Sequence, residues 1–143
     1  MFGWEMRTIE EILSDREMSA IEFQILNKFW RNIRTIQGRR DKGASKNRYL
    51  VGAALGTRRM TRREIDIETM ASLTGLARSS LQKTLKQMVA DGAVLLEKDP
   101  SDKRRTIIKP SQKYLDQSLD MYEETRALIK KTFEELRNTD GGM

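Results

Sequence analysis

The amino-acid sequence predicts a mostly α-helical fold with a small β component, an α+β class, on three observations. Apolar residues recur at helical spacing at residues 20–37 and again beyond Ser111. Between these stretches, two shorter helical patterns meet at Gly75. Two short runs rich in Val, Leu and Ile follow, as expected of paired strands. The length of 143 residues suits one compact domain with an extension for self-association.

The two terminal segments are predicted to be long helices. Ser19 and Glu22 have the spacing of a capping box, which predicts a helix over residues 20–37. Beyond Ser111 the chain runs without Gly or Pro to about Arg137. A helix of that span is about 39 Å long, which is more than a domain this small covers. We therefore expect it to pack partly against a second chain; packing against the 20–37 helix of its own chain is the alternative.

The composition excludes several classes of function. The chain has no Cys and no His, which removes disulfides, thiol nucleophiles, metal sites built from Cys or His, and histidine acid–base catalysis. We therefore expect no enzymatic activity, no catalytic residue, no metal site and no cofactor. No apolar stretch approaches the roughly 18 residues of a membrane span, and the first residues lack the features of a signal peptide. A soluble, cytoplasmic protein without membrane contact is expected.

The positive charge lies in the middle of the chain. The formal net charge is +6, and residues 34–63 hold 10 basic side chains against 1 acidic one. Residues 77–110 hold 8 against 4, while both ends are mildly acidic. Clustered Lys and Arg attract phosphates without specific contacts, so the pattern favours a polyanionic partner. A solvated charged surface would give the same composition, and the motifs have to decide between the two.

Residues 66–91 carry the main functional pattern. Ala71 is small enough for a close helix crossing, and Gly75 tolerates the positive φ of a turn between two helices. Apolar residues fall where these helices would face each other and the core: Met70, Leu73, Leu76, Leu81, Leu85 and Met88. The outward positions of the second helix are basic or hydrogen-bonding: Arg78, Ser79, Ser80, Gln82, Lys83 and Lys86. Two core helices can share this spacing, but a merely solvated helix usually mixes charges, so a helix-turn-helix is predicted.

A β-hairpin is predicted directly after the second helix. Gly92 is expected to end that helix, and strands are expected at 93–98 and 106–109. The loop between the strands contains three consecutive basic residues, Lys103, Arg104 and Arg105. Such a tip suits the minor groove or the phosphates of DNA, and Asp102 is spaced to fix Arg104 by a bidentate pair. The arrangement is typical of a winged helix-turn-helix; an ordinary solvated hairpin tip is the alternative.

These residues resemble the MarR-type winged-helix transcription regulators. The matching stretches are Met70–Leu81, Leu85–Val94 and Asp99–Arg104 with its Asp-x-Arg core, and the close match covers about residues 66–109. The resemblance implies a bacterial, nucleoid-associated homodimer whose terminal helices interlock. It also implies that recognition helices enter successive major grooves of double-stranded DNA while wing arginines reach the minor grooves. An inverted repeat with half-sites about 34 Å apart follows from that geometry.

The same resemblance bears on effectors. Members of the family often respond to small phenolic or lipophilic ligands bound between the dimer helices and the DNA-binding lobe, which makes a small-molecule effector a further candidate partner. The oxidation-sensing branch is excluded because the chain has no Cys. The sequence departs from the family after the wing, where Pro110, Ser111 and Tyr114 stand in place of the common Leu-Thr and Gly. It also has one long terminal helix where two are usual.

We assign the predicted DNA contacts by residue chemistry. Base-edge reading is expected from Ser79, Ser80, Gln82 and Lys83, and phosphate contacts from Arg78 and Lys86. Within the wing, Arg104 takes the minor-groove position of the family with Asp102 as its supporting acid, and Lys103 and Arg105 are expected on the backbone. A further basic cluster is either a set of phosphate contacts or a solvated loop: Arg58, Arg59, Arg62 and Arg63.

The predicted fold is thus a winged helix-turn-helix with long terminal dimerisation helices, and the predicted function is sequence-specific transcription regulation. The predicted organisation is an N-terminal arm and dimerisation helix at 1–37, a winged helix-turn-helix at 47–110, a C-terminal dimerisation helix at 111–137 and a disordered tail at 138–143. Two other functions fit the same sequence. A winged-helix adaptor would dock an acidic protein on its basic face, and a plasmid or phage replication or partition factor would use the same DNA surface at an origin.

Overall fold

The computed structural model of the chain describes residues 6–61 and 63–141, without side chains for 59–61, 140 and 141. The helices are α1 (Ile9–Ser14), α2 (Ala20–Arg40), α3 (Lys46–Thr61), α4 (Ile67–Thr74), α5 (Arg78–Ala90) and α6 (Gln112–Gly141), with a 3-10 turn at Lys42–Ala44. The strands are β1 (Ile65–Asp66), β2 (Val94–Lys98) and β3 (Thr106–Pro110). The mostly α-helical, α+β fold is therefore confirmed. The chain divides into two compact units, Thr35–Tyr122 and the terminal segments Met1–Arg34 with Glu123–Met143.

The Thr35–Tyr122 unit contains the winged helix-turn-helix. Its strands form an antiparallel sheet in the order β1-β3-β2, in which Ile108 of β3 lies between Ile65 of β1 and Leu96 of β2. One continuous core joins this sheet to α3, α4, α5 and the start of α6. Its fully buried side chains are Val51, Ile65, Met70, Leu81, Leu85, Met88, Val94 and Tyr114. Strand β1 was not predicted, because a two-residue strand carries no periodic signal.

The glycine turn between α4 and α5 is confirmed. Gly75 adopts a left-handed conformation with φ of 71°, and its N–H donates to the Ala71 carbonyl. The core side of the two helices is also as predicted, except at Leu73, which is 51% exposed. The buried stripe of α4 runs through Ile67, Met70 and Ala71. At about 100° per residue, Leu73 lies on the opposite side of Met70 from this stripe, so it faces outward.

Two predicted boundaries are wrong in the middle of the chain. The glycine at position 56 predicts the end of a short helix, but α3 continues to Thr61, because an interior glycine costs only about 1 kcal/mol and the burial of Val51 and Leu55 on the same helix outweighs it. The loop expected from Gly38 begins only after α2 ends at Arg40. There the chain buries its charged groups instead of exposing them to solvent, as described below.

The terminal unit is described by itself. The capping box at the start of α2 is confirmed: the Ser19 N–H donates to Glu22 at 3.0 Å, and the Glu22 N–H donates to the Ser19 hydroxyl at 3.1 Å. Lys28 of α2 pairs with Glu135 of α6 at 3.1 Å. Helix α6 continues past Arg137 to Gly141, so residues 138–141 of the expected disordered tail are helical. They continue the helix because no Gly or Pro interrupts them before Gly141.

Within the described residues, none of the helices combines the length and apolar character needed to cross a membrane. The same residues contain no cluster of three or more carboxylates that could hold a metal ion.

Candidate nucleic-acid interface

Helix α5 has one side buried in the core and one side exposed. Leu81, Thr84, Leu85 and Met88 are buried against the core. The opposite flank holds the residues predicted to meet DNA: Arg78, Ser79, Gln82, Lys83 and Lys86 are exposed, and Ser80 is half-buried. None of the 13 residues of α5 is acidic. We call these six residues, from Arg78 to Lys86, the α5 flank; it offers hydrogen-bonding groups and positive charge on one exposed surface.

An ion pair already engages one end of the α5 flank. The Arg78 guanidinium pairs with Glu68 of α4, and both side chains remain more than half exposed, at 63% and 70%. Such exposed pairs contribute little to stability and separate readily, so Arg78 stays available to an anion. Thr84, on the buried side, donates its hydroxyl to the Ser80 carbonyl at 2.9 Å and so satisfies its own polar group within the helix.

Two ion pairs at the C-terminus of α5 were not predicted. Asp91, which follows the last residue of α5, accepts from Arg48 and from Lys42, each at 2.8 Å. The hydrogen bonds from Lys42 and then Arg48 lower the pKa of the Asp91 carboxyl. Arg48 is almost fully buried. These contacts tie the end of α5 to the turn before α3 and to α3 itself, and their partners lie more than 40 positions apart, beyond any local sequence pattern.

The wing tip is basic and strongly exposed. The Arg104 side chain is 94% exposed, and Lys103 is exposed as well. Asp102 does support Arg104, since its Oδ1 accepts from the Arg104 Nε at 3.3 Å and from the Arg104 N–H at 3.1 Å. The predicted bidentate pair is wrong, because only one guanidinium nitrogen is engaged. A short Asx-type turn within the loop holds the backbone and leaves the guanidinium free to project.

Arg105 lies in a different environment from its two basic neighbours. Its Nε donates to Asp66 at 2.7 Å and its Nη1 to Asp99 at 3.0 Å, while Glu64 lies 3.8 Å away. Only 35% of the Arg105 side chain is exposed. Asp66 begins α4 as its N-cap, accepting from the Thr69 N–H at 2.7 Å. Arg105 therefore connects the wing to the first helix of the helix-turn-helix.

The pKa values of this group reflect the same contacts. The hydrogen bond from Arg105, followed by that from the Thr69 N–H, lowers the pKa of Asp66 to about 2. The Ser101 hydroxyl and N–H, together with Arg105, lower the pKa of Asp99 to about 2. The pKa of Arg105 is raised by Asp66 and then Asp99. All three groups stay ionised at neutral pH, so the pairing persists under physiological conditions.

The predicted basic cluster after α3 is only partly described. Arg58 and Arg63 line an open cavity of about 560 Å³ with Ile107, Lys109 and Pro110. Arg58 is half-buried and Arg63 is exposed. The side chains of Arg59 and Arg62 lie outside the described residues. This cavity opens beside the wing strands rather than on the α5 flank.

The polar, basic stretch at residues 38–46 predicts a solvated loop, but part of it forms a buried charged cluster. Arg40 and Asp41 are almost completely buried and pair at 2.8 Å, and Tyr114 donates its hydroxyl to Asp41 at 3.2 Å. Burial opposes the charge of Arg40, but its contacts with Asp41 outweigh that effect and raise its pKa. Burial raises the pKa of Tyr114, so the phenol stays protonated and donates. Arg40 also donates to Ser118 at 3.1 Å.

This cluster forms one wall of a second cavity of about 650 Å³. The rest of the lining comes from α3, the end of β3 and α6, and is largely apolar, with Leu55, Gly56, Pro110, Leu115, Leu119 and Tyr122. Its volume lies in the range of small-molecule sites, and a mostly apolar wall with a few convergent polar groups is typical of them.

A helix-turn-helix followed by an antiparallel wing, between two long helices, is the MarR-type winged-helix fold. YusO from Bacillus subtilis matches with a TM-score of 0.67 at 12% identity, over 94% of this chain and 94% of that one. A mutant of MepR from S. aureus, bound to an oligodeoxyribonucleotide, matches with a TM-score of 0.64 at 11% identity, over 84% of this chain and 88% of that one. Apo MarR from E. coli matches with a TM-score of 0.57 at 13% identity, over 91% of this chain and 86% of that one. At such identities the likeness is one of fold.

No protein-family model and no curated protein matches the sequence. Solved structures with this fold include proteins described as transcription regulators.

Proposed function

We propose that the protein is a homodimeric, sequence-specific regulator of transcription that binds double-stranded DNA. The observation that carries the proposal is the α5 flank, a continuous exposed surface without an acidic residue on a helix whose other side is buried in the core. The MepR structure, of the same fold, was solved with an oligodeoxyribonucleotide. The expected site is an inverted repeat with half-sites about one helical turn apart.

The residues of the α5 flank divide by chemistry. Ser79, Ser80 and Gln82 exchange hydrogen bonds with base edges in the major groove, and Lys83 donates to guanine. Arg78 and Lys86, at the two ends of the flank, bind phosphates. Their contribution is insensitive to sequence and falls with salt concentration.

The wing contributes the second set of contacts. Arg104 enters the minor groove, where a narrow A·T-rich segment attracts a guanidinium, and Lys103 binds the adjoining backbone. The exposed Arg104 side chain has the reach and freedom that this role requires. Arg63 supplies an additional phosphate contact.

The affinity of purified protein for DNA tests this proposal. Duplexes selected from a random pool at about 150 mM salt should share an inverted repeat. Gln82→Ala should relax the base preference at one position of each half-site, whereas Lys86→Ala should weaken all duplexes alike and reduce the salt slope by about two, one for each protomer of the dimer. Lys130→Ala, which removes the same charge from α6, is the matched control and should bind like the wild type. An unchanged selected sequence in Gln82→Ala would contradict the assignment of the α5 flank.

The same measurements distinguish the other two functions. An adaptor should not bind random duplex even at low salt, because its basic face would be built for a protein. A replication or partition factor should bind DNA as proposed, but its selected sites should map to an origin rather than upstream of genes.

The homodimer is supported by an exposed apolar stripe on α6. Leu119, Tyr122, Ile129 and Phe133 are each between 51% and 61% exposed and follow near-heptad spacing along one helix. Side chains of this size are normally covered, and a second copy presents the same stripe for an isologous contact. Two α5 flanks in one dimer would then read two half-sites.

Sedimentation velocity tests the dimer. Phe133→Glu places a carboxylate in the apolar stripe and should shift the protein towards monomer, while Lys130→Glu, on another side of α6, should leave the dimer intact. A wild-type protein that sediments as a monomer at the concentrations where it binds DNA would overturn this part of the proposal.

We further propose that the 650 Å³ cavity binds a small-molecule effector that is mostly apolar, with a polar group directed at Ser118 and Tyr114. Salicylate and 1-naphthol are suitable probes. Either should raise the melting temperature of the wild type and weaken its DNA binding. Gly56→Leu fills the cavity from α3 and should abolish both effects while DNA binding without the probe is retained. A probe response that persists in Gly56→Leu would exclude this cavity.

A further inference from the structure

The wing contains two adjacent arginines whose surroundings differ sharply. Arg104 projects into solvent with 94% of its side chain exposed, whereas Arg105 turns back towards the domain with 35% exposed. The charged neighbours of Arg105 are acidic: Asp66, Asp99 and, more distantly, Glu64. The guanidinium and its two close, ionised carboxylates together have a net negative charge, which opposes contact with a phosphate.

The contacts of Arg105 form one connected chain of hydrogen bonds. From Arg105, one branch runs to Asp66 and on to the Thr69 N–H in the first turn of α4. The other branch runs to Asp99, whose second oxygen accepts from the Ser101 N–H at 2.9 Å and the Ser101 hydroxyl at 2.7 Å. The Arg105 carbonyl in turn accepts from the Asp99 N–H at 2.9 Å, which closes the base of the wing loop.

These contacts join segments that are far apart in sequence. Asp66 precedes Arg105 by 39 positions and lies at the start of the helix-turn-helix, while Asp99 directly follows strand β2. A planar guanidinium donates to the two carboxylates from two different nitrogens in a fixed geometry, whereas a lysine has a single nitrogen on a flexible stem. The angle of the wing relative to α4 is thereby set at the residue next to Arg104.

We propose that Arg105 is a positioning residue for DNA binding: through Asp66 and Asp99 it fixes the wing so that Arg104 reaches the minor groove, and it does not itself contact phosphate. This inference rests on the proposed DNA-binding function. It gives Arg105 a different role from the backbone contact predicted from its sequence position alone.

Neutralising Asp66 or Asp99 distinguishes a phosphate-binding Arg105 from a positioning Arg105, because the two roles predict opposite changes in DNA affinity. Asp66→Asn keeps the N-cap, since Asn caps as well as Asp, and Asp99→Asn keeps an acceptor for Ser101. If Arg105 bound phosphate, each change would free the guanidinium, remove a negative charge and strengthen DNA binding. As Arg105 positions the wing, each change should weaken binding, by roughly 2- to 10-fold. Glu97→Gln, an acid on the same hairpin that pairs with Lys109, is the matched control and should not weaken binding.

A double-mutant cycle supplies the second readout. Arg104→Ala should cost roughly 5-fold or more in affinity, as expected for a groove contact. In the Arg104→Ala background, Arg105→Gln should have a much smaller further effect, because only the Lys103 backbone contact is then left for the wing to position. Arg105→Lys keeps the charge but replaces the two rigidly spaced nitrogens by one flexible ammonium, and it should behave like Arg105→Gln. Additive losses, full affinity in Arg105→Lys, or tighter binding of either Asp→Asn variant would overturn the inference.

Two controls separate this inference from the function on which it rests. Circular dichroism and the melting temperature identify any variant that fails to fold. If Arg105→Gln fails to fold, the milder variants Arg105→Lys and Asp66→Asn still test the inference. If wild-type protein binds no duplex even at low salt, the proposed function itself fails. If the wild type binds and the Asp→Asn variants bind more tightly, only the role of Arg105 is refuted.

Discussion

Substitution of two glycines in α3 tests whether the buried Arg40–Asp41–Tyr114 cluster is as tightly packed as its contacts indicate. A Cβ added at Gly52 would lie 2.4 Å from the Tyr114 hydroxyl oxygen and 2.9 Å from Arg40 Nη2. Both groups are buried and hold Asp41, so neither can move without breaking a hydrogen bond. Gly56, one turn later in the same helix, has nothing within 4 Å of the corresponding position.

The two substitutions should change the free energy of unfolding in opposite directions. Overpacking of a filled core costs about 1–3 kcal/mol, and a weakened hydrogen bond to the buried Asp41 adds about 1 kcal/mol or more. The higher helix propensity of Ala stabilises the folded protein by about 1 kcal/mol and offsets part of this loss. Gly52→Ala should therefore be less stable than the wild type by about 1–3 kcal/mol. Gly56→Ala keeps only the propensity gain and should be more stable by about 0.5–1 kcal/mol.

Urea unfolding followed by circular dichroism measures both changes. The three proteins are compared at one protein concentration, because association would make the midpoint depend on concentration. The order of stability should be Gly56→Ala, wild type, Gly52→Ala. A Gly52→Ala protein as stable as Gly56→Ala would refute the packing around Tyr114 and with it the buried cluster as a rigid unit.

Three further predictions follow from individual contacts. Tyr114→Phe removes one donor to the buried Asp41 and should lower the free energy of unfolding by about 1–2 kcal/mol, measured in urea. The pKa of Asp66 and of Asp99 is about 2 in the folded protein, against an ordinary value of 3.8. Their contribution to stability is therefore complete above about pH 4 and is lost as the pH falls towards 2. Asp66→Asn should reduce this loss of stability in acid, measured by melting curves at several pH values. Ser19→Ala breaks the capping box and should cost about 1 kcal/mol by the same urea measurement.

Each of these has an outcome that would contradict it. An unchanged urea midpoint in Tyr114→Phe would mean that the phenol hydroxyl does not support Asp41. A melting temperature that falls equally with acid in the wild type and Asp66→Asn would remove Asp66 from the acid response. A Ser19→Ala protein as stable as the wild type would mean that water satisfies the first turn of α2 equally well.

Local sequence patterns were sufficient for most of the helix-turn-helix. The turn at Gly75 needs one residue that tolerates positive φ between two short amphipathic helices, and both signals are short-range. The runs of Val, Leu and Ile in the two wing strands and the capping box at Ser19 are equally local signals. Such patterns report directly on the backbone, because capping and turn geometry depend on neighbouring residues alone.

The errors arose where the partner of a residue is distant. Arg40 and Asp41 look like solvated loop residues until Tyr114, 73 positions after Asp41, covers them and donates a hydrogen bond. Leu73 looks like a core residue until the rotation of the short α4 turns it outward. The extension of α3 past Gly56 depends on what the helix packs against, which a single glycine in the sequence does not reveal.

The sequence by itself determined which segments form most of the helices and the hairpin, that the polar side of α5 carries no acid, and that chemistry based on Cys or His is excluded. The tertiary structure decided which charges are free. Lys103, Arg104 and Arg105 are equally basic in the sequence, yet folding brings Asp66 and Asp99 to Arg105 and leaves Arg104 exposed. The physical reason is that a charge acts through its nearest opposite charge and its exposure to water, and both are set by segments distant in the chain.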